Sequence, residues 1–230
     1  MSDSPPQTSY SQILKSTSII GSAQVVNLVL SIVRVKFAAV LIGPVGVGLI
    51  GNFQAIQGVV GTVAGMGLQS SGVREIALKA DMDDKDALSR TIQTLQRIGW
   101  FSGLIGAFVM VLLSPLFSKW TFGSDEYTVP IAMIGLTIIF ANMAGIQQAT
   151  IQGLRRIGDL ARIQVVSGFV GTFSTIALYL LYGLNGILPS LILLALMQCA
   201  VSYFYMRQVV PAKVSVSWKE TIITASPLVR

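Results

Sequence analysis

Apolar runs of membrane-spanning length alternate with short polar stretches along almost the whole chain. Residues 14–40, 45–68, 91–117, 129–151, 164–182 and 187–206 each approach or exceed the roughly 20 apolar residues that cross a bilayer as a helix. The pattern predicts an all-α fold: a polytopic transmembrane bundle of six helices. Between the first two runs lies LIGPVGVGLIGNFQAIQGVVG, where a Gly43-Pro44 turn is followed by Gly46, Gly48, Gly51, Gly58 and Gly61. A phosphate-binding loop uses glycine in this way, but it needs a preceding strand and, in its P-loop form, a Lys-Ser/Thr pair, and both are missing. The glycines therefore thin one face of the second helix, either for close packing on a neighbour or to line a cavity.

Composition supports the membrane reading, with 53% hydrophobic and 11% charged residues in 230, against about 25% charged in a soluble domain. The opening MSDSPPQTSY lacks a basic segment and leads into an apolar run too long for a cleaved signal, so the first helix is expected to remain. One cysteine, Cys199, and no histidine exclude an internal disulfide, Cys/His metal sites, and serine–histidine or cysteine–histidine catalysis within this chain. No cofactor is expected, no ATP-binding motif is present, and no catalytic residue is assigned. The Asp81, Asp83, Asp84 and Asp86 cluster lacks the spacing, glycine and terminal glutamate of a calcium loop. It reads as the acidic start of a solvated helix.

The net charge of +6 falls between the apolar spans and not along one face, which excludes a nucleic-acid surface and reads as topology. With the N-terminus in the cytoplasm, the inside segments collect Lys15, Arg74, Lys79, Lys85, Arg90, Arg97, Arg155, Arg156, Arg162, Arg207, Lys213, Lys219 and Arg230. Outside, only Lys119 lies in a clear loop. The positive-inside rule selects that orientation, with both ends cytoplasmic. Residues 1–13 are then a cytoplasmic segment, 14–208 the six-helix lobe, and 209–230 a cytoplasmic connection. The tail WKETIITASPLVR echoes LKSTSIIGSA near the start, as if a seventh helix were beginning; many transporters are two repeats of one bundle.

Polar residues within the spans fall on helical faces. On the first helix Thr17, Gln24, Asn27, Ser31 and Arg34 share one stripe, and Lys36 lies off it. The second presents Gly51, Gln54, Gln57, Gly58, Gly61 and Gly65, the fourth Asn142, Gly145 and Gln152, and the fifth Gln164, Gly168, Gly171 and Thr175. Packing explains any one of these faces, whereas four together favour a bundle around a polar cavity. A charge at the centre of a span costs about 2.5–3.5 kcal/mol, so Arg34 either snorkels to headgroups or serves a function. No carboxylate falls inside the six expected spans to pair with it, and a guanidinium fork suits phosphate oxygens. Arg155 and Arg156, at the cytoplasmic end of the fourth helix, serve topology and attraction to anionic lipid, or an entrance for an anionic headgroup.

The run GPVGVGLIGNFQ after an Arg-containing first helix, then GVREIA, TFGSDEY and QGLRRIGDLAR, resembles the bacterial O-antigen and enterobacterial-common-antigen flippases of the multidrug/oligosaccharidyl-lipid/polysaccharide exporter group. The resemblance runs across all six helices. It implies a transporter that moves undecaprenyl-pyrophosphate-linked oligosaccharide between leaflets of the bacterial inner membrane by alternating access. It also implies two six-helix lobes around a cationic central cavity, of which these residues supply one. Partners would then be the lipid-linked oligosaccharide, membrane lipids and a second lobe, either downstream in the same chain or a second copy. Substrate contacts are expected from Gln24, Asn27, Ser31, Arg34, Gln54, Gln57, Asn142, Arg155 and Arg156. Three alternatives stay open: a cation-coupled drug antiporter of the same superfamily, which would want an acidic residue in a span; a membrane enzyme acting on lipid-linked sugar, which would want large external loops; and a non-transporting scaffold.

Overall fold

The computed structural model describes residues 7–65, 67–82 and 85–208. Asp83, Asp84 and the 209–230 connection with its WKETIITASPLVR echo lie outside the described residues. Among the described residues seven α-helices follow one another: α1 (Gln7–Leu41), α2 (Gly43–Gly65), α3 (Leu68–Asp81), α4 (Lys85–Phe122), α5 (Thr128–Gly153), α6 (Ile157–Tyr182) and α7 (Ile187–Arg207). Five uninterrupted helical runs are long and apolar enough to cross a membrane, and the last of them, Ile157–Arg207, holds both α6 and α7. Those two are joined by a single 3-10 turn, Gly183–Gly186, and pack on each other as a hairpin. Six helices of membrane length result, as the hydrophobic pattern predicts.

Three tight turns share one end of the bundle, and glycine makes each possible. Gly43, Gly123 and Gly183 have φ of 70°, 69° and 54°, which an L side chain adopts only with strain. The other end carries α3, the start of α4, the α5–α6 connection and the end of α7, with almost all the basic residues. These are called below the turn end and the basic end.

Four of the elements differ from the sequence expectation, α4 beginning at Lys85 rather than 91 and α6 at Ile157 rather than 164. α1 begins at Gln7, ahead of the apolar run at 14, because a helix continues into its polar flank while its backbone bonds stay satisfied. The second span ends at Gly65, and after Gly67 in the left-handed region (φ 68°) the residues LQSSGVREIALKAD form α3. Leu68, Gly72 and Ile76 are its buried stripe at i, i+4, i+8 spacing, laid against α4 and α5. Gly153 is required where α3 meets α5, since a Cβ there would stand 2.8 Å from the Ile76 side chain and 2.9 Å from the Val73 carbonyl oxygen.

The membrane-length helices form a ring: α1 packs on α2, α2 on α4, α4 on α5, α5 on α7, α7 on α6, and α6 back on α1. The turn end of this ring is plugged. Ala38 and Ile42, Phe53, Ile56, Val60 and Ala64, Met110, Ile131, Ile134 and Ile138, Tyr179, Ile187 and Leu191 make one buried cluster, centred on the turn end and running up α2, to which every one of the six contributes. Phe122 and Tyr127 stack with centroids 4.3 Å apart and meet Phe53 edge-on, closing the rim. Smaller clusters around Ile92 and Leu95, and around Ile151 and Ile163, hold the basic end together at its periphery.

Candidate functional site

On the basic side of the plug the ring is hollow. A cavity of about 610 Å³ is walled by α2, α5 and α7, with Gln69 at the start of α3 and Ser102 of α4 completing it; Ile138 and Leu191 of the plug form its floor. α2 supplies Gln54, Gln57, Gly58, Gly61, Thr62 and Gly65, α5 supplies Ala141, Asn142, Gly145 and Ile146, and α7 supplies Leu194, Ala195 and Gln198. Among the described residues no charged side chain lines it.

The glycines of α2 can now be assigned. A Cβ at Gly48, Gly51, Gly58 or Gly61 would meet nothing within 4 Å, so these positions do not serve contact with another helix of this chain. Gly58 and Gly61 leave backbone bare to the cavity. Elsewhere glycine does serve packing: a Cβ at Gly135 would stand 3.1 Å from the Ala107 carbonyl oxygen, at the α4–α5 contact.

The expected site residues divide into three groups. Gln54, Gln57 and Asn142 come together in the cavity, where Asn142 Nδ2 lies 3.5 Å from Ser102 Oγ. The stripe on α1 goes to a different place. Asn27 packs on α6, where a Cβ at Gly168 would stand 2.5 Å from its Oδ1, and its amide donates to the Ala23 carbonyl at 3.1 Å. Ser31 donates to its own helix at Leu28, 2.8 Å away, and Gln24 is exposed. Arg34 is half-buried in the α1–α6 seam and donates to Thr172 Oγ1 at 3.4 Å. Its Nε, together with Gln164 Oε1 and Ser167 Oγ of α6, is buried without a hydrogen-bond partner among the described residues.

Arg155 and Arg156 form the third group, at the exposed basic end. Arg155, at φ 58°, turns the chain from α5 to α6 and pairs with Asp81 of α3 at 2.9 Å. Arg156 Nε pairs with Asp159 Oδ2 at 2.6 Å, and Arg162 takes the other oxygen at 3.2 Å. Asp159 is the one buried acid among the described residues, and with both oxygens engaged by arginine it is poorly placed to receive a cation.

Residues missing from the sequence expectation are Thr62, Gln69, Ser102 and Gln198. Gln198 stands alone in LLALMQCAVSYF, and that isolation was a usable signal. A parallel polar seam joins α5 to α7, where Gln147 reaches Cys199 Sγ at 3.9 Å and Gln148 donates to Ser202 at 3.3 Å.

The polar hollow within membrane-length helices is the candidate site, and comparison with known proteins places the chain in a family. A family model described as polysaccharide biosynthesis protein matches residues 13–226. The chain belongs to this polysaccharide biosynthesis protein family. It is a multi-pass membrane protein. The lipid III flippases of Escherichia coli (strain K12) and Shigella flexneri are each 26% identical to it over 159 residues, which is 69% of this chain and 38% of theirs. The matched part of the chain thus covers under half the length of these curated relatives. No solved structure gives a significant match.

Proposed function

We propose that this chain is one lobe of a flippase that carries undecaprenyl-pyrophosphate-linked oligosaccharide, an O-antigen or common-antigen repeat unit, from the cytoplasmic to the periplasmic leaflet of the bacterial inner membrane. The observation that carries this reading is the uncharged polar cavity inside helices of membrane length. Each unpaired hydroxyl taken into hydrocarbon costs several kcal/mol, so a glycan faces a barrier of order tens of kcal/mol without a polar path. Carboxamides and hydroxyls supply donors and acceptors along such a path while the lipid tail stays in the bilayer.

Orientation follows from charge. The basic end is cytoplasmic, so the N-terminus is inside and the cavity opens toward the leaflet on which the glycan is assembled. Arg34 serves the pyrophosphate: Thr172 occupies one of its N–H donors, and among the described residues Nε is unengaged and no carboxylate pairs with it. Arg155 and Arg156 belong to the positive surface that draws an anionic headgroup to that end. A second six-helix lobe, in the same polypeptide or in a second copy, covers the polar faces and permits alternating access. An inside-negative potential favours outward movement of an anion by about 2.3 kcal/mol per charge per 100 mV, so the step proceeds without ATP.

Deleting the gene at its native locus tests the proposal. Lipid-linked oligosaccharide should accumulate on the cytoplasmic leaflet, read as glycan accessible to an impermeant oxidant in inverted vesicles but not in right-side-out ones. Unchanged leaflet distribution with normal surface glycan would sink it.

A further inference from the structure

The cavity and Arg34 are separate places, and this separation has chemical content. Among the described residues the cavity holds five carboxamides, those of Gln54, Gln57, Gln69, Asn142 and Gln198, and no charged group. None of the hydrogen bonds among the described residues engages Gln54, Gln57, Gln69 or Gln198, so their donors and acceptors are available. Each carboxamide offers two N–H donors and a carbonyl acceptor, the pairing that adjacent sugar hydroxyls satisfy. Between them, Gly58 and Gly61 present flat, bare helix backbone, and a Cβ on either would project into open space. A volume of about 610 Å³ falls within the roughly 300–1,000 Å³ of small-molecule pockets. An anion placed there would lose its hydration with no cation to replace it.

We infer that the cavity between α2, α5 and α7 is a subsite for an uncharged sugar ring, which lies over the Gly58–Gly61 strip with its hydroxyls on Gln57, Gln69 and Asn142, and that it rejects the pyrophosphate, which is held elsewhere. The inference rests on the transport reading for its physiological ligand, but the subsite chemistry is testable apart from it.

The test uses the protein as expressed from its full gene and reconstituted in lipid, with Cys199→Ser removing the one native thiol of this chain and Thr62→Cys placing a reporter on the cavity wall. Labelling by a small maleimide is followed in the presence of N-acetylglucosamine oligomers, glucose, glucuronate or inorganic pyrophosphate. Neutral sugars should slow labelling at least several-fold, and glucuronate and pyrophosphate should not. Adding Gly61→Val, whose Cβ projects into open space and whose methyls narrow the hollow, should abolish protection while the protein still inserts and elutes normally. Protection by pyrophosphate, equal protection by glucuronate, or no protection by any sugar would overturn the assignment. Protection by neutral sugar in a protein whose deletion strands no lipid-linked glycan would instead retain the subsite and remove the flippase.

Discussion

Replacing Arg34 with methionine should make the protein more stable and less active. The guanidinium sits in the α1–α6 seam with one marginal hydrogen bond, 3.4 Å to Thr172, and a buried Nε without a partner. A charged side chain within a span costs about 2.5–3.5 kcal/mol. The lost hydrogen bond returns only about 0.5–1.5 kcal/mol of that. Methionine keeps the length of the stem and fills the seam, so the difference, about 1–3 kcal/mol, should appear as added stability. For a chain of this size each kcal/mol moves the melting temperature by about 2–4 °C. Against this stands the proposed attraction to a pyrophosphate oxygen, which at 4 Å and an effective dielectric near 20 would be worth about 4 kcal/mol before desolvation, enough for a loss of transport well beyond tenfold. Thermal unfolding of the reconstituted protein and leaflet distribution of the lipid-linked glycan would be measured together, with Lys36→Ala as the control because Lys36 is exposed and off the stripe. A lower melting temperature for Arg34→Met would make Arg34 a structural strut. Full transport by a normally inserted Arg34→Met protein would falsify its part in the function.

Two further outcomes follow from the fold. Reporter fusions after Ser124 and Gly186 should register outside and those after Asp84 and Asp159 inside; reversal at two of these sites would break the proposed orientation. Gly58→Ala should be neutral or stabilise by up to about 1 kcal/mol, since alanine favours helix and its Cβ meets nothing, while Gly135→Ala should cost about 1–3 kcal/mol because Ala107 backbone stands in the way. Equal melting temperatures for the two variants would contradict the assignment of cavity and packing glycines.

The six spans were legible because length and hydropathy alone decide what crosses a bilayer, and the Gly43-Pro44 turn because only glycine relieves a φ of 70°. α3 was not, since GVREIALKA is short, carries three charges and shows its Leu68–Gly72–Ile76 stripe only once α4 and α5 are there to receive it. Gln54, Gln57 and Asn142 could be found because an amide in an apolar span must meet something polar. The stripe on α1 had the same look, yet a helical face does not say which neighbour it meets. Gly168 opens α6 to Asn27, and Thr172 takes Arg34, so much of that stripe is absorbed inside the lobe.

What remains polar and uncovered points to how the lobe opens. The plug draws on all six membrane-length helices, so a headgroup cannot leave through the turn end of the ring unless the whole cluster comes apart. Sliding two packed lobes past one another costs far less than dissolving a core to which every helix contributes. α2 offers such a route along its side. Gly48, Gly51, Gly58 and Gly61 repeat at helical spacing, each with open space where a Cβ would be, and Asn52 and Gln54 are exposed beside them. This strip begins in the cavity and continues past the level of the plug to the turn end. The side-chain amides of Asn52 and Gln54, unpartnered among the described residues, would be costly facing hydrocarbon, so the strip faces water or protein. If the proposed second lobe rocks against it, first the cavity half and then the turn-end half of the strip would be exposed, and a sugar would pass the plug while the plug stays closed.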